Sequence, residues 1–220
     1  MDFVNSFANQ HEYNEKNKSF NEPFNDCDNR YINKYKAQNA KPDKTMVVIM
    51  ENPSVANFEK TDATTKTCCE FLGKNGYTNV VIFNILPFRG TGVDKIAKKS
   101  FPIDITNYVD TILKDIAEIK CNPDILFATG NIMDVFTKMI MVNDKIAYDL
   151  LHSYNMLLSG LINTNKVYLL KGVSTRAKDK TPKISNGFGC HFSRHEKFSF
   201  CDIEKFREFR FVVDLKLAVG

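Results

Sequence analysis

Short apolar runs alternate with amphipathic segments from about residue 31 onward. The stretches Met46–Met50, Val80–Phe83, Ile125–Ala128 and Val167–Leu170 are continuously apolar and have the length of strands, which predicts strands covered on both faces. Tyr31–Lys36 is a fifth strand candidate. Between them the period changes. Asp62 can cap a helix that runs to about Asn75 and stops at Gly76, and Ile105, Val109, Ile112, Leu113 and Ile116 recur at three- and four-residue spacing. Ile132–Met141 and Asp144–Leu161 read as a helical pair. The end is ambiguous, because Ile203, Phe206 and Phe209 suit a helix while Phe211, Val213, Leu215 and Leu217 alternate like a strand. Helix followed by an extended tail is the favoured reading.

This order of elements predicts an α/β fold, a three-layer sandwich with a mostly parallel central sheet and right-handed crossovers. Residues 30–220 would form a single α/β domain. Residues 1–29 differ: seven asparagines from Asn5 to Asn29 recur among Glu, Lys and Phe without a sustained apolar period. They read as an Asn-rich arm clipped to the body by Phe3, Phe7, Phe20 and Phe24, and as a candidate contact for a protein partner.

Composition narrows the classes. The 220 residues are 43% hydrophobic, enough for a sizeable core, and 30 basic against 26 acidic residues give a net charge of +4. That charge is too small to identify a nucleic-acid binder unless it is concentrated. No apolar run approaches the length of a membrane helix and the first residues have no export pattern, so a cytoplasmic chain with no membrane association is expected, its six cysteines reduced and mostly buried. Cys190, His191, His195 and Cys201 have ligand chemistry, but their spacing matches no standard zinc pattern. Neither a metal nor a cofactor is expected.

In parallel sheets ligands bind beyond the carboxyl ends of the strands, so chemistry is sought just after Met50, Phe83, Ala128 and Leu170. The first exit is Glu51-Asn52-Pro53-Ser54, where proline takes Asn52 out of ladder pairing. From this tripeptide alone an ordinary Asn-Pro turn is the better explanation. The second strand ends in Asn84, an amide in an apolar run that can satisfy a loop backbone or present a donor and an acceptor to a nucleobase edge. The third exit, Thr129-Gly130-Asn131, reads mainly as architecture. After the fourth, Lys171, Arg176, Lys178, Lys180 and Lys183 oppose only Asp179, a local charge of +4 that is either a solvated loop or a phosphate track. The chain returns through Gly187-Phe188-Gly189-Cys190-His191-Phe192-Ser193-Arg194. His191 then sits where a site is expected.

The ordered motifs Asn-Pro-Ser-x-Ala, Asp-x-Thr-x-x-x-Cys, Gly-Tyr and an apolar strand ending in Asn, within Met46–Arg89, resemble the bacterial and phage family known as domain of unknown function 1643, over about residues 30 to 195. More distantly, Asn52-Pro53, Asn84 and His191-Phe192-Ser193 are similar in order to the motifs of the uracil-DNA glycosylase superfamily. Met50 stands where that superfamily has glycine. The resemblance implies a uracil-DNA glycosylase-like fold and hydrolysis of an N-glycosidic bond to a modified or deaminated base. Asn52 would position water and His191 would stabilise the departing base. Asn84 would bind the base edge and Phe58 would stack on it, while Ser193, Arg194, Arg176, Lys178, Lys180 and Lys183 would hold phosphates. The alternatives are a non-catalytic binder of nucleic acid or nucleotide, and a phage or host-defence interaction protein on the same fold.

Overall fold

A computed structural model describes residues 3–5, 32–37, 44–51, 63–86, 105–119, 121–130, 132–142, 144–176, 178, 180, 182–183 and 189–202. Its strands are β1 (Phe3–Asn5), β2 (Ile32–Ala37), β3 (Thr45–Met50), β4 (Asn79–Asn84), β5 (Asp124–Ala128), β6 (Val167–Ser174) and β7 (His195–Asp202). Its helices are α1 (Ala63–Lys74), α2 (Ile105–Glu118), α3 (Ile132–Val142) and α4 (Asp144–Thr164). All the strands join one sheet in the order β1-β2-β4-β3-β5-β6-β7. Among the described residues no helix is long and apolar enough to cross a membrane.

The apolar runs become the four central strands because each must bury side chains on two faces. Met46, Val48, Met50, Val80, Ile82, Leu126 and Ala128 pack on one side with Cys68, Cys69 and Leu72 of α1. Val47, Ile49, Val81, Phe83, Ile125 and Phe127 pack on the other with the inward stripes of α2, α3 and α4. Burying such a side chain contributes roughly 1.5–3 kcal/mol, so these two layers dominate the stability of the fold. Helices therefore cover both faces of the sheet.

The sheet is mixed, which corrects the expectation of a mostly parallel one. β4, β3, β5 and β6 are mutually parallel, but β1 with β2, β2 with β4, and β6 with β7 are antiparallel. The reason lies in the connections. A parallel neighbour needs a crossover that returns the chain to its starting end, whereas β7 follows β6 through a loop and simply comes back alongside it. β2 ends beside the start of β4, with Lys36 opposite Asn79, so a short link suffices to begin β3 at the same end of the sheet. Of the asparagine-rich arm, Phe3–Asn5 is described and forms the edge strand β1.

β7 had no clear sequence signal, because its period is broken. Lys171 pairs with Ser199 and Val173 with Glu196, so Gly172 faces two residues, Lys197 and Phe198. This is a β-bulge, and Lys197 takes a φ of 51° within it. Phe198 and Phe200 still reach the α1-side core, where their rings pack edge-on and tilted against Phe71 with centroids 5.8 and 5.0 Å apart. The helix and tail expected after residue 202 lie outside the described residues, as does the Asp62 cap.

Candidate functional site at the carboxyl ends of β3, β4 and β5

The chain leaves β3 for β4 on one side, then passes back over β3 to β5 on the other. This reversal is a topological switch point, and such sheets open a crevice at the carboxyl ends of the strands flanking it. Register aligns those ends: Met50 pairs with Asn84 of β4 and with Ala128 of β5. Beyond the strands the pairing continues, with the Ile85 N–H donating to the Met50 carbonyl at 2.9 Å and the Leu86 N–H to the Glu51 carbonyl at 2.8 Å. β4 and β5 are two inter-strand spacings apart, about 10 Å, with the exit of β3 between them.

On the β4 side stands Asn84, 2% exposed and on the same face as Val80 and Ile82 by strand alternation. On the β5 side the chain turns at Gly130, whose φ is +66°. A Cβ added there would come within 3.0 Å of the His191 Cβ, so the histidine packs directly over the end of β5.

What brings His191 there is the length of β6. It runs on to Ser174 while β5 stops at Ala128, so β6 projects past its neighbour with backbone groups to satisfy. The returning loop takes that edge. The Cys190 N–H donates to the Leu170 carbonyl at 2.7 Å, and Gly172 and Lys183 exchange two backbone bonds of 3.1 and 2.9 Å. Gly189 passes so close that a Cβ on it would fall 2.0 Å from the Phe127 carbonyl oxygen, and its φ is +96°. Only glycine fits.

The imidazole of His191 is fixed by its own turn. The Ser193 N–H donates to His191 Nδ1 at 3.1 Å, and the Ser193 hydroxyl lies 2.7 Å from the same nitrogen. A backbone N–H aimed at Nδ1 requires a lone pair there, so in the neutral ring the hydrogen is on Nε2, which is a donor. The His191 carbonyl in turn accepts from the Arg194 N–H at 3.2 Å and from His195 Nδ1 at 3.1 Å. Thr175 secures the turn to the end of β6 by donating its N–H and its hydroxyl to the Arg194 carbonyl at 3.1 and 3.2 Å.

Glu51, the first residue after β3, supplies a carboxyl group at this point. Burial pushes it up to about 7, opposed by the Arg194 guanidinium and reinforced by the carboxylate of Asp134 in the first turn of α3. Sequence reading passed it over. Its signal was a carboxylate directly following a wholly apolar strand, next to the proline turn that drew attention to Asn52.

The other anticipated residues divide clearly. His191, Ser193 and Arg194 share one turn, with Asn84 across the exit of β3. Arg176, Lys178, Lys180 and Lys183 are exposed along the loop that follows β6. Lys180 is engaged there, with its Nζ 3.5 Å from the Thr175 carbonyl and 4.0 Å from Glu196. Asn52 and Phe58 lie outside the described residues. The Cys190 thiol is buried and donates to the Lys183 carbonyl at 2.8 Å, whereas Cys201 packs on the α4-side core. Among the described residues no group of three or more His, Cys, Asp or Glu side chains could hold a metal ion.

No curated protein matches the chain. A family described as "Protein of unknown function (DUF1643)" matches residues 30–167, from just before β2 to the first residue of β6. The match takes in the ends of β3, β4 and β5 and stops short of the His191 turn. With 30–167 matched out of 220 residues, the chain belongs to the DUF1643 family.

Proposed function

We propose that the protein is a base-processing enzyme of uracil-DNA glycosylase-like type, hydrolysing the N-glycosidic bond of a modified or deaminated base in DNA. One observation carries the reading: His191 packs over the end of β5 with Nδ1 as an acceptor, so that in the neutral ring the hydrogen is on Nε2. A leaving base departs with negative charge, and a fixed donor placed where that charge develops stabilises the transition state. Asn84, across the exit of β3, reads the base edge through its amide. Asn52, the residue after Glu51, positions the water, since an amide has no pKa suited to taking its proton. Phe58 stacks on the flipped base. Ser193, Arg194 and the cations of the loop after β6 hold the flanking phosphates.

A binder without chemistry is the second reading. It is favoured by Arg176 and Lys178, exposed cations with no carboxylate partner among the described residues. The test is alkali-induced strand cleavage of oligonucleotides carrying uracil, hypoxanthine, hydroxymethyluracil or a bulky thymine adduct. Cleavage of at least one is expected, with Asn52→Ala and Asn84→Ala each losing most of it while staying folded. If wild type binds DNA and cleaves none, the binder reading replaces this one; if it does neither, the interaction-protein reading does.

A further inference from the structure

Hydrolysis needs a group to take a proton from water, and the amide of Asn52 cannot do so. Resting on the reading just given, we propose that Glu51 is the general base of the site. Its backbone is fixed by the Leu86 N–H on its carbonyl, and it leaves β3 between Asn84 and the His191 turn. Two charged groups bear on its carboxyl: the Arg194 guanidinium, on the turn that holds His191, and the Asp134 carboxylate at the start of α3. Burial, with the smaller and opposed effects of these two charges, leaves the group at about 7, partly ionised near neutrality, as proton transfer in both directions requires.

The step balances. The water oxygen bonds to the anomeric carbon as the bond from that carbon to the base nitrogen breaks, and its electron pair leaves with the base. One water hydrogen remains on the new sugar hydroxyl. The other passes to the Glu51 carboxylate and from there to the base nitrogen, which the His191 Nε2–H has stabilised as an anion. The carboxylate is regenerated and no further reactant is consumed.

The test uses the full chain in single-turnover cleavage across pH, beside DNA binding and thermal melting. Glu51→Gln keeps the shape and removes the base, so its rate should fall by about a hundredfold or more with affinity unchanged. The wild-type rate should decline on the acid side of a limb near pH 7, and the residual activity of Glu51→Gln should lack that limb. Glu51→Asp should keep part of the rate with the limb displaced, and it carries the comparison if the glutamine variant does not fold. Wild-type cleavage matched by Glu51→Gln, or a limb unmoved in Glu51→Asp, would overturn the role of Glu51 and leave the glycosidase reading standing. Absence of cleavage by wild type on every substrate would overturn both.

Discussion

At the scale of single residues, position decides what a common side chain can do. His191 is an ordinary histidine until Ser193 supplies an N–H to one ring nitrogen and Gly130 makes room beneath it. Gly130→Ala would force a Cβ to 3.0 Å from that of His191 at a φ of +66°, so the ring should shift. The variant is expected to melt lower by roughly 1 kcal/mol or more and to lose DNA cleavage beyond what its stability explains. Melting and cleavage measured together check this; wild-type values for both would show that His191 does not depend on the turn. Glu51 makes a pH prediction with a definite sign. Its carboxyl is at about 7 in the folded chain against an ordinary 4.5, so the folded state holds the extra proton. The stability it permits is complete below 4.5 and declines as pH rises to 7. Glu51→Gln should therefore melt at the wild-type temperature at pH 4 and higher at pH 8, by up to roughly 3 kcal/mol from about 1.4 kcal/mol per pKa unit. An equal difference at both pH values would contradict the buried-acid account. His191 stood out in the sequence because it lies in a glycine-flanked loop that returns after a strand. Glu51 offered only a carboxylate after an apolar strand, because the shift of its carboxyl comes from burial and from Arg194 and Asp134, which are distant in sequence.

At the scale of elements, strands that bury two faces announce themselves and edge strands do not. β3 to β6 each began as an uninterrupted apolar run, whereas the bulge at Lys197 breaks the alternation of β7 and hides it. The antiparallel edges were hidden too, because run composition does not record which way a strand returns. The loop from β6 to β7 combines scaffold and cation. Its exposed Lys180–Glu196 pair, at 4.0 Å, contributes at most about 1 kcal/mol, so replacing Lys180 alone should scarcely alter melting. Replacing Arg176, Lys178, Lys180 and Lys183 together by glutamine should reduce the slope of log affinity against log salt by up to about 3, at roughly 0.7 per phosphate on a single strand. Fluorescence anisotropy across a salt series measures it, and an unchanged slope would make the loop a solvated surface.

At the scale of the whole molecule, the sheet order places the switch point at the end of β3, and the excess length of β6 over β5 draws the His191 loop across it. Three exits from the sheet thus lie side by side at its carboxyl edge: Glu51 from β3, Asn84 at the end of β4, and His191 above Gly130 at the end of β5. The central strands and the places where they end were legible in the apolar runs, but the order of the strands in the sheet and the meeting of β3 with a loop nearly 140 residues later depend on pairing that no local pattern encodes. The family match ends at Val167, so it covers the ends of β3, β4 and β5 and not the histidine turn. The most direct test of the account is therefore the single-turnover release of a modified base from DNA by wild type and by His191→Ala. The account predicts release by wild type and a rate lower by on the order of a hundredfold in the variant, with melting and DNA affinity unchanged. No release by wild type, or equal rates in the two proteins, would contradict it.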